Sequence, residues 1–503
     1  MAIESTSKTS FCVKIYLSHP WKLFKSGYLV LTWIMLGFHL ELIGPTMPTL
    51  ASNIGVTYSG MGSVLASRSA GYLVANLLGS ILQNIVKNHS EGLLFLAFFL
   101  PTIAIFATPF VTSLVLMCVL FFIQGLSKSF TDLGGNNLLL RMWDVNAAAP
   151  LSTVHFGYPI GAVVVNLFVR PFITQNVLPI NVTNNNRINS TLSLINARKL
   201  NSNIVIPYSI TAILCFLIAL GHIFFYVSKL RNRREKLQVN YAGVSTNPDD
   251  VNIPMNKENS SPYSPRTCGR GFFQYGLTLS TIFIMYAFCM GGNSQTFSKF
   301  FFSFLKFEKF NLSNAAASSG ITLYWLSHSV GRLAFAMISI FLSADKCLNI
   351  IWFGSLCLAT AWLIFVWIIG LTSTNLFILG AVTGLLFAPI FPLSFGFFNQ
   401  RLNVIPMLLG FLLSGTALGA ITLNKIAGVV MDYNPNHFPT ILAVCISMAI
   451  ILHIASHLVY FFHQRKNLLN AQPSVTNGLA LSPEGSNEEE QQMTNYLRDR
   501  EDK

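Results

Sequence analysis

The chain has 503 residues, of which 52% are hydrophobic and only 10% charged, with a mean hydropathy of +0.55; that charged share is well under half of a soluble protein's roughly 25%. There is too little charge to coat a water-soluble surface of this size, which excludes a soluble globular protein. The net charge of +13 does not point to nucleic acid, because the basic residues cluster just outside apolar runs instead of covering one folded face.

Apolar runs of about 20 residues match the roughly 30 Å hydrocarbon core at 1.5 Å per helical residue, so the spanning elements are helices. The polar segment 1–26, with Lys8, Lys14, Lys22 and Lys25, precedes the first run and carries no pattern of a cleavable signal peptide. Spans are predicted over 27–49, 60–82, 92–111, 113–137, 147–170 and 204–229, which make a first half, 27–229. A connection, 230–271, rich in Asn, Ser and Pro, is predicted to be a disordered linker. A second half, 272–462, follows with spans over 272–298, 314–341, 348–370, 374–397, 406–430 and 438–462, and the polar tail 463–503 is predicted to be disordered. The expected fold is therefore an all-α membrane protein of twelve transmembrane helices in two six-helix halves. The eight cysteines lie mostly inside apolar runs, with no close-spaced pairs, so neither a metal site nor a disulfide framework is expected.

Lys229, Arg231, Arg233, Arg234 and Lys236 open the linker, and the positive-inside rule places it, and with it both termini, in the cytoplasm. Three glycosylation sequons, at Asn181, Asn189 and Asn311, then fall outside. The expected location is the plasma membrane, with an endolysosomal membrane as the alternative.

A charge near the bilayer centre costs about 2.5–3.5 kcal/mol on insertion scales, so intramembrane ionisable groups normally face protein or a wet cavity. In span four, Gln124, Lys128 and Asp132 recur every fourth residue and lie within about 80° on one face, with Asn136 and Asn137 continuing the polar character. An amide, a cation and a carboxylate on one face can bind several hydroxyls at once, or Lys128 and Asp132 could simply pair and lock the packing. Glu41 in span one and Arg68 in span two lie near mid-depth and could neutralise each other. Alternatively a carboxylate, Glu41 or Asp132, could offer oxygen to sodium, a hard cation, or exchange a proton. His155 and Asn166 share a face of span five; Tyr324, His328 and Arg332 share one of span eight. Span seven breaks its apolar run at Gly291-Gly292-Asn293-Ser294-Gln295, and span ten carries Gly384, Pro389 and Pro392, interruptions tolerated where they line a cavity. The candidate solute-binding residues are thus Gln124, Lys128, Asp132, Asn136, Asn137, His155, Asn166, Asn293, Gln295, Tyr324 and His328; those for ion coupling or gating are Glu41, Arg68, Asp132 and Arg332.

The chain also repeats itself. Gly157, Gly161-Ala162 and Asn166 of span five recur with identical spacing as Gly415, Gly419-Ala420 and Asn424 of span eleven, and Gly71-Tyr72-Leu73 is echoed by Gly331-Arg332-Leu333. Six spans followed by six in the same orientation is the parallel two-half plan of major facilitator transporters. The segment Thr131-Asp132-Leu133-Gly134-Gly135-Asn136-Asn137-Leu138-Leu139-Leu140-Arg141-Met142-Trp143, with His155-Phe156-Gly157, Gly44-Pro45-Thr46 and Arg68 near Gly71-Tyr72, resembles the sodium-dependent glucose transporter branch of that superfamily. The resemblance implies alternating access by two rocking halves, a hexose as solute and sodium as the driving ion; no cofactor is expected beyond that coupling ion. The expected partners are a small polar solute and the lipid bilayer. A proton-coupled or facilitative carrier of another organic solute, or a non-transporting receptor on the same fold, are the alternatives. No Walker A loop or zinc-protease spacing suggests a primary pump or an enzyme.

Overall fold

The computed structural model describes residues 17–144, 148–174, 189–242, 264–310, 312–403 and 406–471. The sequons at Asn181 and Asn311 lie outside these residues, as does the side chain of Asn189, which begins a helix. Half of the predicted linker and most of the predicted tail fall outside them; within the linker, the preceding helix continues to Ala242, past the predicted end at 229, and Pro265–Cys268 forms a helical turn, so these parts are not the disordered chain expected. The described residues up to Val459 make one compact unit; those from Tyr460 to Ala471 belong to a second and are helical.

Helices carry almost all of the described chain. In order they are α1 (Pro20–Asn53), α2 (Tyr58–Ile81), α3 (Ser90–Ala107), α4 (Leu114–Trp143), α5 (Ala148–Thr174), α6 (Asn189–Ala242), α7 (Phe273–Leu305), α8 (Asn314–Phe341), α9 (Ala344–Ile364), α10 (Ser373–Arg401), α11 (Pro406–Tyr433) and α12 (Phe438–Ala471). Ten of these are long and apolar enough to cross a membrane; α2 and α8 have the length but a more polar composition. The reason lies in their neighbours. α2 packs along α11 and α8 along α5, so protein covers faces that lipid would cover elsewhere, and serines together with Arg68 and Arg332 are tolerated there. The two exceptions hold equivalent places in the two halves.

The glycine repeat shows why the halves match. In the first half α1 packs on α5, α2 on α4 and α3 on α4; in the second α7 packs on α11, α8 on α10 and α9 on α10. A Cβ at Gly161 would overlap the Ile34 carbonyl of α1, and one at Gly419 the Phe288 carbonyl of α7. Gly71 meets the Phe122 carbonyl of α4, and Gly331 the Leu385 carbonyl of α10, in the same way. Each repeated glycine therefore lets two backbones approach closely, as small residues do in membrane bundles. The seams between the halves obey the same symmetry: exchanging the halves turns α2·α11 into α8·α5 and returns α1·α7 to itself.

Two local features place the site. α1 is interrupted at Leu42, between Pro20–Glu41 and Ile43–Asn53, where Pro45 has no N–H to offer the Glu41 carbonyl four residues back. In α7 the predicted break at Gly291-Gly292 does not occur. The helix runs on to Leu305 because buried Phe297, Phe300, Phe301, Phe302 and Phe304 continue its apolar packing, while Gly291 and Gly292 press against Thr416 and Gly419 of α11. α10 likewise continues through Pro389 and Pro392.

Candidate functional site

With twelve spans, the starts of α1 and α7 share one side, called here the terminal side, and the other is the distal side. The extension of α7 past residue 298 brings Lys299 into the bundle, 4% exposed. Its ammonium forms an ion pair with Glu41 and donates to the Leu40 carbonyl at 3.1 Å. Tyr158 of α5 donates to the same Glu41 carboxylate. Arg68, expected to neutralise Glu41, instead donates through Nη1 to the Leu40 carbonyl at 3.0 Å and lies over the Phe121 ring at 5.7 Å, with Glu41 in electrostatic range. The interruption of α1 is thus the point where two cations from different halves converge on one carboxylate and one carbonyl. Neither Lys299 nor Tyr158 was among the sequence candidates.

The polar stripe of α4 divides. Asp132 accepts from the Tyr72 hydroxyl at 3.2 Å. Lys128 stands over the Tyr72 ring at 4.6 Å, a cation–π contact, and reaches Gln295 of the other half at 3.4 Å, with Asp132 close enough for charge attraction. Gln124 is buried deeper in the helix packing. Asn136 joins the stripe by accepting from the His155 ring at 3.0 Å. Asn137 does not, since its amide donates to the Val86 carbonyl at 3.2 Å and to Ser90 Oγ at 2.8 Å, within the first half. The Val86 carbonyl keeps the Ser90 hydroxyl as a donor, so the loss is that of two part-buried hydrogen bonds, about 1–3 kcal/mol at about 0.5–1.5 kcal/mol each. Asn137→Ala is therefore expected to lower thermal stability by that order while leaving the solute affinity of the folded protein unchanged, measured by unfolding and by binding side by side.

On α8, Arg332 donates to the His155 carbonyl at 2.6 Å across the α5·α8 seam. Tyr324, Trp325 and His328 pack ring to ring, and Trp325 also meets Tyr158 edge-on at 5.9 Å. Trp325 Nε1, His328 Nδ1 and Arg332 Nε are buried without a hydrogen-bond partner among the described residues. Asn166 bonds its own helix at Ala162, and Asn293 donates to the Leu442 carbonyl at 3.2 Å inside the second half. These two do not reach the mid-depth cluster.

Further polar contacts across the halves lie on the distal side. Asp432 of α11 accepts from the Tyr58 and Ser59 backbone N–H groups at 2.8 and 2.7 Å, Lys425 donates to Ser63 at 2.7 Å, and Asn314 of α8 donates to the Ile173 carbonyl at 2.8 Å. Among the described residues the terminal-side ion pairs stay within one half: Glu91 with Lys25 and Lys229, each at 2.8 Å, and Asp345 with Arg401 at 3.4 Å.

A bundle of two matched six-helix halves, with ionisable side chains gathered between them at mid-depth, has the two-half plan of the polytopic carriers. The Major Facilitator Superfamily profile matches residues 29–422, and the chain belongs to that family. It is similar to sodium-dependent glucose transporter 1 of Danio rerio, 32% identical over 171 residues, a stretch that is 34% of this chain and 26% of that protein. Sodium-dependent glucose transporter 1A of Mus musculus is 21% identical over 432 residues, covering 84% of this chain and 93% of its own length. The crystal structure of the E. coli fucose:proton symporter FucP aligns with a TM-score of 0.57 and 14% identity over 86% of this chain and 99% of that one, a likeness of fold.

Proposed function

We propose that this transporter moves a small polar solute, a hexose such as glucose, by alternating access, the two halves rocking about the α2·α11 and α5·α8 seams. The observation that carries the reading is the cross-half cluster of Glu41, Lys299, Arg68 and Tyr158, continued by Tyr72, Asp132, Lys128 and Gln295. Such a set alternates donors with acceptors, as the hydroxyls of a sugar do, and aromatic rings border it. The sugar-transporter names of the relatives support the same class. Distal contacts across the halves fit a state closed on that side. With Lys229 and Arg231 cytoplasmic by the positive-inside rule, the distal side faces outward, at the plasma membrane.

Uptake of labelled glucose into proteoliposomes tests the reading, and no uptake above protein-free vesicles removes the hexose. Asp132→Asn is expected to reduce that uptake, measured per folded protein, about ten- to hundred-fold, because a hydrogen bond to a charged group is worth about 1.5–3 kcal/mol, and to lower the thermal midpoint as well, since Lys128 loses a carboxylate within charge attraction. Undiminished uptake would place Asp132 outside the solute path.

A further inference from the structure

We infer that the ammonium of Lys299 occupies the place at Glu41 that a coupling cation would take, so that this chain moves its solute without sodium. The inference rests on the carrier reading above, and its test separates the two. A hard cation seeks several oxygens held close together. Around the interruption of α1 the oxygens that converge are the Glu41 carboxylate and the Leu40 carbonyl, and Lys299 contacts both. Tyr158 takes a further bond to the carboxylate and Arg68 a further bond to the carbonyl.

The second mid-depth carboxylate repeats the arrangement. Asp132 has Lys128 of the same helix within charge attraction and a phenol already donating to it. Among the described residues at mid-depth, four basic side chains, Arg68, Lys128, Lys299 and Arg332, stand against the two carboxylates Glu41 and Asp132. A mobile cation would enter a region that is already positive, where like charges at short range repel strongly in a low dielectric. A tethered ammonium has the charge of sodium but cannot be released, so it can close the distal side without drawing on an ion gradient.

The test compares wild type with Lys299→Met, which removes the ammonium from the Glu41 and Leu40 oxygens and leaves them the Tyr158 and Arg68 hydrogen bonds. One arm follows thermal unfolding of the purified protein in sodium chloride against choline chloride of equal ionic strength. The other follows labelled glucose uptake into proteoliposomes with and without an inward sodium gradient. Wild type is expected to unfold at the same temperature in both salts and to take up glucose at rates within about twofold of each other. Lys299→Met is expected to gain a saturable upward shift in sodium, accompanied by sodium-stimulated uptake. A sodium effect on wild type in either arm overturns the inference, and so does a variant as indifferent to sodium as wild type. If neither protein moves glucose, the thermal arm still decides, and the hexose reading fails alone. Lys299→Gln, which keeps a polar group beside the Leu40 carbonyl, replaces Lys299→Met if the latter does not fold, with the same expected sodium response.

Discussion

Glu41→Gln is expected to cost about 3–5 kcal/mol of stability, the scale for removing one partner of a buried ion pair and leaving the other charge unmatched. The side chain is 2% exposed and holds Lys299 of the opposite half, with Tyr158 donating to it. Its loss leaves Lys299 and Arg68 facing each other around the Leu40 carbonyl. A neutral amide can accept a hydrogen bond there but cannot offset two positive charges. Uptake should fall with stability. The double variant Glu41→Gln/Lys299→Met should recover much of the loss, because removing both ions together also removes their desolvation cost. Unfolding of the two single variants and the double variant yields the coupling directly; additive effects would show that the pair does not hold the halves together.

Gly161→Val and Gly419→Val should each destabilise the bundle by at least about 2 kcal/mol, since overpacking that must move backbone is seldom absorbed by side-chain shifts. At both positions the new Cβ meets a carbonyl of the first helix of its own half, Ile34 or Phe288. Neither helix can retreat easily. α1 also carries the Glu41 site, and Gly419 is in backbone contact with Gly292 of α7. Gly27→Ala is the control: nothing lies within 4 Å of its Cβ position, and alanine's helix preference should make it neutral or stabilising by about 0.5–1 kcal/mol. Thermal midpoints in one detergent rank the three, and equal values would contradict the close-approach account of the repeat.

The architecture was legible because membrane insertion writes itself into composition. Span length follows bilayer thickness, and the echoes of Gly161 with Gly419 and Gly71 with Gly331 mark equivalent helix contacts. The site was legible only in part. Asp132, Lys128 and Gln295 could be placed because an isolated charge or amide in an apolar run has few acceptable surroundings. Lys299 was missed because span seven was predicted to end at residue 298, one position short of it. The phenylalanines that follow Lys299, at 300 to 302 and 304, were the signal that the helix continued. Tyr72 and Tyr158 pass for ordinary aromatic packing, since a sequence does not show where a hydroxyl points. Asn137 was grouped with Asn136 although adjacent helical residues point about 100° apart, so only Asn136 could continue the stripe of Lys128 and Asp132. Arg68 stays within electrostatic range of Glu41, but the partner that closes on the carboxylate comes from the other half, 258 positions away by residue number, and no local pattern encodes that meeting.

The central claim is that the halves separate on the distal side during each cycle, and a reversible tether across α1 and α7 tests it most directly. Ser303 Oγ lies 3.8 Å from Met47 Sδ across that seam, so cysteines at these two positions can be bridged by a short thiol-reactive cross-linker. Full bridging should abolish solute uptake, and cleaving a reducible linker should restore it, with each single-cysteine variant unaffected by the same reagent. Uptake that continues at the unbridged rate with the tether complete would contradict the account.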